Sequence, residues 1–229
     1  MGPEGDLKPM TEFPIILTEG GDDRLPLDPK TGANKYHGKP YVNLDAAFRG
    51  SCTCNSPSVE GYAAAEACFN ALQKGDTTCE QEMHNTRERL ISVYNLPKDT
   101  GIFLMPSGSD AEYIPLLIAQ LLNKGKKINN IVTCNEEVGS GTLDASGGKF
   151  FSAIEPIPGY TSHMEGGAGM SDPLLGLADG VTTFAINARE TSGGVLDSNP
   201  DIEKVLAKSK DEGAVPILHS VFGSKTGII

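Results

Sequence analysis

The chain has no tryptophan, and aromatic residues make up only 6% of it. No apolar run reaches transmembrane length, which excludes a helical membrane span and predicts a soluble protein with no membrane partner. Met1-Gly2-Pro3-Glu4-Gly5-Asp6 has neither the basic start nor the apolar core of a secretory signal, and position six is not the Ser or Thr of a myristoylation signal. Basic residues are in deficit: 19 Lys and Arg face 30 Asp and Glu, a formal charge of −11. That balance disfavours a grip on nucleic acid, and no Lys/Arg stripe with interleaved aromatics offsets it. The five cysteines are an odd number without a C-x-x-C pair, and Cys52-Thr53-Cys54 is too tight for a zinc or redox site. His37, His84 and His163 lack metal-ligand spacing, so no metal is expected. Reduced thiols predict a cytoplasmic or organelle-matrix compartment rather than secretion.

What is present is an alternation of apolar strands and amphipathic helices. Residues 1–40, rich in Pro, Gly and Asp, predict an irregular arm. Tyr41-Val42-Asn43-Leu44-Asp45 reads as a short strand. Ser56-Pro57 then starts a helix running to Gly75, and a second helix covers about 79–95, stopped by Leu96-Pro97. Strand 101–105 leads into helix 110–123, with Ile114, Leu117, Ile118, Leu121 and Leu122 at helical spacing. Strands follow at 130–134, 149–157, 181–187 (of the buried kind) and 214–219, with a helix from Asn199-Pro200 to Gly213. The pattern predicts an α/β fold of three layers, α/β/α, around a mainly parallel sheet. The arm would cover 1–40 and the domain 41–229. The chain stops in a loop soon after a strand, which predicts a domain incomplete at its C-terminus.

Ligands of open parallel sheets gather at the carboxyl ends of strands, where four small, polar loops fall: 106–110, 135–142, 187–193 and 219–227. Ser107-Gly108-Ser109-Asp110 opens a helix, whose first N–H groups lack intrahelical acceptors and whose dipole attracts an anion. The same four residues also suit a plain helix cap, and the two readings weigh evenly. Gly139-Ser140-Gly141 resembles a dinucleotide or S-adenosylmethionine loop with Glu155 as its ribose acid. Asp144 stands in place of the third glycine, and Glu155 follows too soon. Arg189 could fork a substrate carboxylate or pair with Glu190. Gly223-Ser224-Lys225-Thr226 fails the P-loop pattern, because Ser224 separates Gly from Lys. His219, at a strand end, could stack on a ligand, exchange protons or simply be half-buried.

Taken in order, four segments resemble fold-type I pyridoxal-phosphate enzymes of the class V aminotransferase and cysteine-desulfurase branch. The likeness spans about residues 41–220. Tyr41-Val42-Asn43-Leu44-Asp45-Ala46-Ala47 is similar to the family's "YLDNAA" opening, and Thr86-Arg87-Glu88-Arg89-Leu90 to the helix before the cofactor loop. Pro106 to Glu112 is similar to the "SGTTEA" phosphate loop, and Glu190 to Leu196 to the "ETSTGV" segment. The resemblance implies pyridoxal 5'-phosphate as cofactor, a small amino-group substrate and a homodimer. It implies that Ser107, Gly108, Ser109 and Asp110 hold the cofactor phosphate. Glu137 or Val138 would sit where the family stacks an aromatic or histidine on the ring, and neither has a π face. Thr191 and Ser192 would lie near the ring and its phenolic oxygen, and His219 where an Asp pairs with the ring nitrogen. The family's Schiff-base lysine has only Lys225 to match it, too close to the preceding strand. The expected lysine is therefore placed beyond Ile229. Two other readings stay open: a non-catalytic homologue that binds a phosphate ligand, and a Rossmann-like methyltransferase or dehydrogenase using Gly139 and Gly141.

Overall fold

A computed structural model describes residues 12–18, 25–42, 55–133, 135, 138–152, 156–157, 159–162, 169–186, 200–220 and 225–228. The chain divides into two compact units, Met1–Ile102 and Phe103–Ile229.

The first unit is helical: α1 Glu12–Ile16, α2 Val59–Lys74 and α3 Cys79–Val93. The arm is thus not wholly irregular. Phe13 of α1 is buried, with its ring 5.3 Å from those of Tyr62 and Phe69 on α2. Helix α2 starts two residues later than the Ser56-Pro57 signal suggests. Ser58 is its cap, in extended backbone, and its hydroxyl accepts the Gly61 N–H at 3.0 Å. Gly75 closes the helix in the left-handed region, φ 74°, which only glycine adopts freely. Thr78 caps α3 in the same way, accepting from Gln81 N–H. Tyr41 and Val42 form no strand, and the rest of that expected strand lies outside the described residues.

The second unit contains α4 Gly108–Ala111, α5 Tyr113–Leu122, β1 Ile128–Thr133, α6 Thr142–Ser146, β2 Val181–Ile186, α7 Pro200–Glu212, β3 Val215–Ser220 and β4 Lys225–Ile228. Its sheet has the order β2-β1-β3-β4. Strand β1 pairs parallel with β2 and β3, Ile128 standing opposite both Val181 and Val215. The class is α/β. One core joins Tyr113, Leu116 and Ala119 of α5 to Ile128, Ala145, Phe150, Leu174, Leu177 and Ile217. Another joins Ile131 and Ile186 to Ile202 and Val205 of α7.

Several expectations are corrected. Residues 101–105 form no strand; the Ile102 carbonyl accepts from Arg87 Nε at 3.0 Å instead of from a ladder neighbour. The expected helix 110–123 is two helices broken at Glu112, because Pro115 has no N–H to offer the Ala111 carbonyl. Its buried stripe is Tyr113, Leu116 and Ala119, while Leu121 and Leu122 are exposed. Lys149 makes only an isolated antiparallel bridge to Pro173, residues 150–152 lie outside the sheet, and 153–155 lie outside the described residues. Strand β2 is a half-exposed strand at the sheet's edge; the strand buried throughout is β1. The 219–227 loop is corrected too: Lys225 opens β4, antiparallel to β3.

Tyr113 is fully buried, and its hydroxyl donates to the Lys149 carbonyl at 2.7 Å. Burial first, then the Asp110 and Asp144 charges, push this phenol well above its usual range, against a lowering by the Phe151 backbone hydrogen bond. A raised acid keeps its proton in the folded state after the unfolded chain has lost it. Its stabilisation is therefore complete below about pH 10 and lost as pH rises further. Tyr113→Phe should lower stability by about 1–3 kcal/mol at neutral pH, through the unsatisfied carbonyl. It should also remove part of the alkaline loss of stability expected in urea titrations as pH rises above about 10. Burial, then Glu66, push the Tyr62 phenol in the same direction.

Candidate functional site

The carboxyl ends of β1, β2 and β3 and the start of β4 lie along one edge of the sheet. The loop leaving β1 begins with Asn135, whose N–H bonds the Ile186 carbonyl at 3.2 Å. It returns at Thr142, the first residue of α6, and there it meets α4. Ser109 Oγ and Thr142 Oγ1 are 3.3 Å apart and share a hydrogen bond. A Cβ at Gly139 would stand 3.4 Å from the Ser109 oxygen and 3.7 Å from that of Thr142. The backbone at Gly139 thus closes one side of the hydroxyl pair. A Cβ at Gly108 would meet nothing within 4 Å, so the approach to the first turn of α4 is open there.

Within α4 the cap reading holds. Ser107 lies in extended backbone, and its hydroxyl accepts the Asp110 N–H at 3.2 Å. The same hydroxyl donates to Asp110 Oδ2 at 2.5 Å. Both groups are therefore engaged with each other rather than turned outward. Three donors fit an anion here: the N–H groups of Gly108 and Ser109, which precede any intrahelical acceptor, and whichever hydroxyl of the Ser109–Thr142 pair does not donate to the other. Hydroxyl and amide donors suit a phosphate oxygen, while the Asp110 carboxylate repels one unless the Ser107 proton offsets its charge.

Ser107, Gly108, Ser109 and Asp110 thus come together, and Thr142 joins them. Thr142 was read only as the end of the glycine-rich loop. The signal for it was a hydroxyl residue at a second strand-to-helix junction of the same sheet edge. Gly141 has a packing reason of its own, because a Cβ there would lie 2.6 Å from the Phe151 ring. Lys225 pairs through its backbone with Ser220, and His219 with Val132 and Thr226, at that same edge. Glu137, Glu155, Arg189, Thr191 and Ser192 lie outside the described residues, and Val138 is half-buried. A cleft of about 400 Å³ lies alongside β2, lined in part by Leu143, Asp144, Gly147, Lys149 and Thr183 but by neither Ser109 nor Thr142. Among the described residues no cluster of His, Cys, Asp and Glu could hold a metal ion, and no helix is long and apolar enough to cross a membrane.

No family model, curated protein or solved structure matches this chain.

The glycines of the site separate by what lies above them. Gly108→Ala should leave stability unchanged or raise it by up to about 1 kcal/mol, since alanine favours a helix and meets open space. Gly141→Ala should destabilise by about 1–3 kcal/mol, because the methyl must displace Phe151. Urea unfolding of the two variants beside the parent chain checks both signs.

Proposed function

We propose that this chain supplies the phosphate-holding part of a pyridoxal-phosphate-dependent transferase or lyase acting on a small amino-group substrate. The observation that carries the reading is the meeting of the α4 start with Thr142 at the carboxyl edge of a parallel sheet. The ordered likeness of residues 41–47, 86–90, 106–112 and 190–196 to one enzyme family supports it independently. The finer architecture of that family, three layers around the sheet, is part of the proposal, as are a homodimer and a cytoplasmic or organelle-matrix location.

The donor set fits a phosphate monoester. The Gly108 and Ser109 N–H groups and one hydroxyl of the Ser109–Thr142 pair would hold its oxygens, and the open face at Gly108 admits it. Pyridoxal phosphate, when bound, supplies an electron sink for the bonds of an amino-bearing carbon. The chain's own residues bind and orient. Ser107 fixes α4 by taking the Asp110 N–H, which keeps the two preceding amides directed at one spot. Asp110, bonded to Ser107, adds no free donor of its own. His219, Thr191 and Ser192 are proposed to face the rest of the cofactor, as the resemblance implies, and Arg189 the substrate.

Affinity should depend on the phosphate. Absorbance titration should give tighter binding of pyridoxal phosphate than of pyridoxal, and Ser109→Ala and Thr142→Val should each weaken only the former, by about tenfold or more. Equal binding of the two aldehydes would remove the phosphate site and the reading with it. Borohydride reduction followed by peptide mass spectrometry then asks about the lysine. A stoichiometric adduct at Lys225 assigns it the covalent role, and scattered labelling withdraws it.

A further inference from the structure

The two halves of the site come from segments more than thirty residues apart, yet their hydroxyls sit at hydrogen-bond distance. Something must hold them there, because a single hydrogen bond between partly exposed hydroxyls contributes only about 0.5–1.5 kcal/mol. Neither α4 nor α6 exceeds five residues, so neither brings much rigidity of its own.

The brace is aromatic. Tyr113 follows α4 after one residue and is fully buried. Its hydroxyl donates to the Lys149 carbonyl at 2.7 Å, so the side chain grips the backbone two residues before Phe151. The Phe151 ring stacks on Tyr113, with centroids 6.1 Å apart and planes 18° from parallel. Phe151 in turn lies against Gly141, so close that any Cβ there would stand 2.6 Å from the ring. Gly141 immediately precedes Thr142. A closed circuit results: Ser109 to Thr142 by hydrogen bond, Gly141 to Phe151 by contact, Phe151 to Tyr113 by stacking, and Tyr113 back to Ser109 along the chain.

We propose that Phe151, held by Tyr113, is the positioning residue that sets the Ser109–Thr142 separation. Its value as a binding residue rests on the phosphate-site reading above, but its geometric role does not. Phe151 reaches no ligand itself. It presses the α6 start toward α4 through the one position that has no side chain to resist.

The test is a double-mutant cycle without ligand. Ser109→Ala, Thr142→Val and the double variant are unfolded in urea, in the full chain and again in a Phe151→Leu background. In the parent background the pair should couple by about fivefold in the folding equilibrium, as expected for one hydrogen bond. In the Phe151→Leu background that coupling should fall to none, and Phe151→Tyr, which keeps the ring, should restore it. Coupling that persists unchanged in Phe151→Leu would make Phe151 a filler of volume and overturn the proposal. So would the absence of coupling in the parent chain. If Phe151→Leu does not fold, Phe151→Met, closer in volume, carries the same comparison. A second arm measures pyridoxal phosphate. Binding should weaken in Phe151→Leu about as much as in Ser109→Ala. A parent chain that binds none while showing the coupling would end the phosphate reading and leave the positioning role standing.

Discussion

Strand β1 is buried from end to end, and its second and third residues are asparagines. A buried amide that loses its partners costs about 1–3 kcal/mol, so a strand with two of them can sit centrally only if each face offers something to bond. Both faces do. Asn129 donates to Ser209 Oγ at 2.8 Å, and Ser209 donates onward to the Val205 carbonyl at 2.7 Å, all on α7. Asn130 donates to the Ser146 carbonyl at 2.7 Å, the last residue of α6. Adjacent residues of a strand face opposite ways, so this pair fixes one helix on each side of the sheet. The bond from Asn130 thus ties the last residue of α6 to β1.

Helices α2, α3 and α7 were legible because caps and apolar spacing are local. Thr78, Gly75, Pro200 and Gly213 mark ends that the structure places within a residue or two. Strands 128–133, 181–186 and 215–220 were legible as apolar runs. What the pattern did not convey was their environment. Val181 to Ile186 reads as more apolar than β1, yet it is the edge strand, while the two asparagines hid the central one. Burial depends on neighbours far along the chain, and no window of residues contains them. Residues 101–105 failed for a related reason. An apolar run becomes a strand only where a ladder partner is free, and Arg87 had already taken the Ile102 carbonyl.

The site was legible in half. Ser107 to Asp110 carry the signature of a helix start, which serves equally as cap and as anion cradle, and the structure divides those roles between residues. Ser107 and the Asp110 N–H cap, while the space beside Gly108 stays open. Thr142 and Phe151 were hidden because their importance is purely spatial. Gly141 looked like part of a nucleotide loop, whereas its bareness makes room for a ring ten residues on.

The parallel sheet also orders events in time. Parallel neighbours cannot be joined by a tight turn, so β1 meets its first partner, β2, only after roughly fifty further residues are available, and β3 later still. Only β3 and β4 can close as a local hairpin. A chain with its earliest strand in the middle of the sheet must hold that strand open while the flanks are made. Contacts so distant in sequence slow folding, and unpaired strand edges invite association with other chains in the interval. The two asparagines of β1 make that waiting strand more soluble than a run of valine and isoleucine would be. The polar pair that anchors the finished sheet thus also protects the unfinished one.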